Sequence, residues 1–143
     1  MNSSAKTKRS RKKTELAFVV DARSRIKKAG IPCKWEAPLL GRSVDLVFYK
    51  DEAVCSVEFK LKNWRRACEQ AKDHQLGVDY AYICLPTKTV TETIRMTVAQ
   101  YGIGVLEFCK DGAWPFKVLM KASRSSVLWP AARNRLLKIM EVI

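Results

Sequence analysis

An α/β fold with a central mixed sheet flanked by helices is what this sequence predicts, on three observations. Two short apolar runs rich in β-branched residues, Val44–Tyr49 and Ala53–Phe59, flank Asp51-Glu52 and read as an antiparallel hairpin. A third run, Tyr80–Leu85, is apolar throughout, the pattern of an interior strand with parallel neighbours. Helical spacing fills the gaps at Asn63–Leu76 and Thr91–Tyr101, and β-α-β units of this size favour right-handed parallel connections.

The elements follow in order. Residues 1–13 hold Lys6, Lys8, Arg9, Arg11, Lys12 and Lys13 with no acid among them, and read as a disordered basic arm. A non-specific phosphate clamp and a solubilising tail are both open for it. Residues 14–143 form the single expected domain. Thr14 to Ala29 reads as the first helix, with Thr14 as its cap. Its stripe runs through Leu16, Val19, Val20, Arg23 and Ile26, broadened by Ala17, Phe18 and Ala22, and Gly30 and Pro32 end it. Cys33–Ala37 is a short strand broken at Pro38, and Gly41-Arg42 turns back into the Val44 strand. After the hairpin, Asn63 caps a second helix whose inward side is Trp64, Ala67, Ala71 and Leu76. Pro86 ends the Tyr80 strand. Thr89 or Thr91 caps the third helix and Gly102 ends it. Ile103–Phe108 is the next strand, Asp111-Gly112 turns into Trp114–Met120, and Pro130 opens a last helix over Ala131–Val142.

Composition narrows the function classes. The chain has 143 residues, enough for one domain with a core, and 48 % are apolar. Its net charge is +13 and its pI about 9.8. Outside the arm the chain still carries 21 basic residues against all 14 acidic ones, so the excess is not confined to a tail. A polyanion is the expected partner, nucleic acid rather than membrane. No apolar run approaches the ~20 residues of a membrane span, and no signal peptide is visible. The five cysteines are odd in number, and no two have C-x2-C spacing. They suit a reducing, cytoplasmic setting and exclude a zinc site of ordinary ligand spacing. His74, the sole histidine, reads as solvent-facing on a polar helix.

The hairpin carries the chemistry. With a two-residue loop at Asp51-Glu52, Lys50 faces Ala53, and counting outward sets Asp45 opposite Glu58. Lys60 follows two residues later on the same face. Two carboxylates on a largely buried sheet are unfavourable without a cation or a proton, and a hard divalent metal with oxygen ligands relieves them. An exposed Glu58/Lys60 ion pair is the structural alternative.

Asp45 followed by Glu58-Phe59-Lys60 on the next strand resembles the PD-(D/E)xK nuclease signature, the superfamily of restriction endonucleases and Holliday-junction resolvases. Val44 stands where the family often has proline. The resemblance covers about residues 14–108 and implies a restriction-endonuclease-like α-β-β-β-α-β core. It implies a metal-dependent endonuclease acting on DNA, branched or structured DNA included, with Mg²⁺ or Mn²⁺ held by Asp45 and Glu58. Lys60 would orient the attacking water, and Gln70, on the helix after the ExK strand, would reach phosphate or water. Glu15, in the first helix, and Glu36 are candidate additional acids; periodicity does not choose between a site role for Glu36 and the outer face of an edge strand. Lys62, Arg65, Arg66, Lys72 and the basic arm would grip the backbone. Two cuts per duplex make a homodimer a further expectation. A catalytically silent nucleic-acid-binding module or scaffold on the same fold is the alternative.

Overall fold

The protein, as a computed structural model, is described at residues 3–85 and 90–143, with side chains from Thr14 onward. The elements are α1 (Ser3–Lys28), β1 (Cys33–Leu39), β2 (Arg42–Lys50), β3 (Ala53–Phe59), α2 (Trp64–His74), β4 (Tyr80–Cys84), α3 (Glu92–Tyr101), β5 (Gly104–Phe108), β6 (Phe116–Met120) and α4 (Pro130–Ile139). This is the expected order. The strands form one mixed sheet in the order β1-β2-β3-β4-β5-β6. β1, β2 and β3 pair antiparallel, β3, β4 and β5 parallel, and β6 antiparallel to β5.

Turn chemistry sets the hairpins. Asp51 and Glu52 both take positive φ, 53° and 63°, the type I′ geometry whose twist matches that of the flanking strands. The expected register follows, from Lys50↔Ala53 to Leu46↔Val57. The first hairpin turns at Leu40 and Gly41, one residue earlier than expected, with Leu39 opposite Arg42. Pro38 does not break β1. The strand lies at the sheet edge, where a residue without an N–H removes no interior ladder bond, so β1 continues to Leu39. β6 starts at Phe116 rather than Trp114: Pro115 before it has no N–H to donate to the ladder, although its carbonyl still accepts from the Cys109 N–H at 2.7 Å.

Two apolar layers sandwich the sheet. On one face α2, α3 and α4 bring Ala67, Ala71, Val98 and Leu136 against Val47, Val54, Ile83 and Val105. On the other, Val19, Ala22 and Ile26 of α1 meet Leu46, Phe48, Val57, Phe59 and Leu106. Burying a side chain such as Phe59 or Ile26 contributes about 1.5–3 kcal/mol. The buried line of α1 is therefore Val19–Ala22–Ile26. Leu16 and Val20, expected in the stripe, are each 43 % exposed, and so is Leu76 beyond α2, at 41 %.

Helix ends follow their local signals. The Asn63 side chain accepts from the Arg66 N–H, and the Thr91 hydroxyl from the Ile94 N–H. Gly30, at φ 77°, closes α1 in a Schellman motif, with the Ile31 N–H reaching the Ile26 carbonyl. At its other end α1 begins at Ser3, so helix stands where the sequence suggests a disordered arm, and Thr14 lies inside it rather than capping it. Lysine, arginine and alanine are good helix formers, and extending a formed helix avoids the cost of nucleation. The side chains of Lys6, Lys8, Arg9, Arg11, Lys12 and Lys13 lie outside the described residues.

Candidate active site

The β2–β3 ladder stops one pair short of the carboxylates. Beyond Leu46↔Val57 the Asp45 side chain replaces a main-chain acceptor, taking the Phe59 N–H on Oδ2 at 2.9 Å. The Asp45 N–H points in turn at Glu58 Oε2, 3.5 Å away. The strands also turn over here. Cys33 and Trp35 pack with the α1-side layer but Ala37 and Leu39 with the other, and Leu46 and Val44 divide the same way. Glu36, between the two halves of β1, has φ 49°, a left-handed conformation that lets the strand reverse its faces. Asp45, opposite it, is left half-buried at the mouth of a cavity.

That cavity, about 330 Å³, lies between α1 and the sheet, and Glu15, Glu36, Asp45 and Lys60 line it beside Trp35 and Phe59. Four of the expected site residues thus share one space. Glu58 does not line it; it is 3 % exposed and approaches Asp45 from beneath. Burial, then the adjacent Asp45 charge, pushes the Glu58 carboxyl up to about 9, with Lys60 acting weakly in the other direction. Burial also raises Asp45, against the Phe59 N–H bond that favours its charged form. The pair therefore holds a proton near neutral pH, as two adjacent carboxylates in a poorly solvated site must.

His74 is a correction. It is buried at 2 % exposure, not solvent-facing, and its Nδ1 lies 3.8 Å from Glu58 Oε2. Desolvation lowers it to about 4, so the ring is neutral. Its Nδ1 has no hydrogen-bond partner. The signal was in the sequence: His74 stands three residues after Ala71 and seven after Ala67, on the apolar side of α2.

Gln70 is half-buried on α2, and its Oε1 is buried without a hydrogen-bond partner; no hydrogen bond joins it to Asp45 or Glu58. Lys62, Arg65, Arg66 and Lys72 are exposed around α2, with Arg65 over the Trp64 ring at 4.5 Å and Lys72 over Tyr101 at 5.0 Å. They do not enter the cavity. Among the described residues, no group of three or more His, Cys, Asp or Glu side chains is arranged to hold a metal ion. The five cysteines are free thiols, and no described helix is long and apolar enough to cross a membrane. Comparison of the chain with models of protein families, with curated proteins and with solved structures returns no match.

Proposed function

We propose that this chain is a metal-dependent DNA endonuclease of the PD-(D/E)xK type, built on a restriction-endonuclease-like α-β-β-β-α-β core. The observation that carries the reading is Asp45 and Lys60 on one cavity, with the buried Glu58 carboxylate 3.5 Å from the Asp45 N–H, in a chain of net charge +13. The donor set fits a hard cation. A dication takes over the role of the proton that the two carboxylates otherwise share, and Mg²⁺ or Mn²⁺ accepts such all-oxygen ligands. Asp45 and Glu58 would hold it. Glu15 or Glu36, on the same cavity, water and a substrate phosphate are the sources for the remaining oxygens. When bound, such an ion lowers the pKa of water and offsets charge on phosphate. Lys60 supplies an ammonium beside the pair, where it would orient water and stabilise developing negative charge. Lys62, Arg65 and Arg66 bind backbone phosphates without reading sequence.

One observation favours a second reading, a catalytically silent nucleic-acid-binding module: Glu58 is enclosed and does not line the cavity. Incubation with plasmid, linear, single-stranded and branched DNA, each with Mg²⁺, Mn²⁺ or EDTA, separates the two. The nuclease cuts only with metal and loses cutting in Asp45→Asn. Binding of the same DNAs without cutting under any metal overturns the nuclease reading and leaves the silent module.

A further inference from the structure

The face of the sheet that carries α1 is covered unevenly. α1 packs on β1, β2 and β3. The other end of the same face holds a second cavity, of about 310 Å³, walled by Tyr80, Tyr82, Trp114 and Phe116. Phe116 is committed to the core, stacked with Phe48 at 6.3 Å, and Tyr82 is buried. Tyr80 and Trp114 are only half-buried.

Three cations rim this cavity. Lys50 Nζ lies 4.7 Å from the Trp114 ring centre, and Lys121 Nζ and the Arg124 guanidinium lie 5.3 and 5.1 Å from that of Tyr80. One carboxylate, Asp51, shares the rim. Arg124 is engaged by the Asp79 carboxylate, whereas Lys50 and Lys121 are exposed and have no carboxylate partner among the described ion pairs. Flat apolar walls with a positive rim suit a planar aromatic group carrying an anion. The volume lies at the small end of ligand cavities, enough for one such group and too little for a duplex or a folded peptide segment.

We infer that this cavity binds one unpaired nucleotide of a nucleic acid, with its base against Trp114 and Tyr80 and its phosphates on Lys50 and Lys121. The rings already hold cations on their faces, and a base replaces them there while the cations move to the phosphates. The cavity opens on the sheet face that also carries Asp45. Lys50 stands five residues along β2 from Asp45, about 16 Å at the rise of an extended strand. The inference stands on the second cavity and does not require cleavage.

Fluorescence anisotropy of the full chain in EDTA tests it. The probes are a labelled oligothymidine, an abasic strand of equal length and charge, and a blunt duplex. The base-bearing strand is expected to bind about ten-fold more tightly than the abasic strand, as loss of base stacking implies. Trp114→Leu removes that preference, and Lys121→Glu, at an exposed position, weakens binding of the base-bearing strand. A 5-iodouridine in that strand photocrosslinks to Trp114 or Tyr80. Equal affinity for base-bearing and abasic strands, or crosslinks lying wholly elsewhere, overturns the inference; so does a preference that survives in a folded Trp114→Leu. If that variant does not fold, an unchanged Lys121→Glu overturns it. Absence of cleavage in both Mg²⁺ and Mn²⁺ rejects the nuclease reading and leaves these results standing, because binding in EDTA does not depend on cleavage.

Discussion

Glu58 and His74 touch across the β3–α2 contact and are shifted by the same cause, burial, with opposite consequences for stability. Folded, Glu58 keeps its proton to about 9 against an ordinary 4.5, so between those values the native state binds more protons than the unfolded chain. Its contribution is complete below pH 4.5 and is lost as pH rises towards 9. His74 drops from 6.5 to about 4, so between those values the unfolded chain binds the extra proton and stability rises with pH. The two effects oppose each other up to pH 6.5, and above it only that of Glu58 remains. Melting temperature in EDTA is thus expected to fall from pH 6.5 to 9. Glu58→Gln carries no titrating group; it should flatten that limb and melt above wild type at pH 8.5. An unchanged slope in the variant would show that Glu58 is not the titrating group. Mg²⁺ should raise the melting temperature of wild type but not of Glu58→Gln, as linkage requires of a ligand held by that carboxylate. Lys60→Ala should keep DNA binding and lose about a hundred- to a thousand-fold in cutting rate. Lys60→Arg should restore little of it, because a planar guanidinium does not replace a compact ammonium. Parental cutting by Lys60→Ala would make that lysine a bystander.

The strands, helices and loops around the site are tied together by a polar clamp away from it. Asp79, buried at the entrance to β4, accepts the Val54 N–H at 2.7 Å, Arg133 Nε of α4 at 3.0 Å and Arg124 at 3.3 Å. Arg133 also donates to the Glu52 carbonyl in the β2–β3 turn. One carboxylate thus joins the β2–β3 hairpin to β4, α4 and the loop before α4. Asp79→Ala is expected to cost about 3 kcal/mol in urea unfolding, because it strips Arg133 and the Val54 N–H of their acceptor. A cost below 1 kcal/mol would show that solvent already satisfies both. Gly104 answers a different constraint. A methyl group there would meet the Tyr82 ring, the Met120 carbonyl and the Ala122 N–H, so β4, β5 and the end of β6 close only around hydrogen. Gly104→Ala should cost up to about 3 kcal/mol and disturb the aromatic cavity beside it.

Over the whole molecule the positive charge is spread between the N-terminal stretch and the body. Removing residues 1–13 takes away six cations and leaves the body with 21 basic and 14 acidic residues. If all six meet phosphate, the slope of log affinity against log salt should fall by about 5, while binding persists. An unchanged slope would assign the phosphate contacts wholly to the body, where Lys62, Arg65 and Arg66 are the candidates.

The order of elements, the β2–β3 register and the caps at Asn63 and Thr91 were legible in the residues, because each rests on local causes. Periodicity sets which face is apolar, and the length of a tight turn sets which residues oppose each other. The same arithmetic brought Asp45 to Glu58 but not onto the one expected face: Glu58 packs on the α2 side against His74, whereas Asp45 and Lys60 line the cavity on the α1 side. Contacts between distant elements were not legible. The spacing of His74 from Ala67 and Ala71 marks it as inward, against the polar neighbours Asp73 and Gln75, but only the packing of α2 on β3 sets it against Glu58. The reversal of faces at Glu36 depends on a single left-handed residue, and alternation of residue types does not reveal it. Nor could spacing say that Glu15 and Glu36 share a cavity with Asp45 while Gln70 makes no hydrogen bond to the carboxylates. Local sequence sets dihedrals and faces, whereas the depth of a carboxylate, and with it its proton, depends on how far the surrounding layers exclude water.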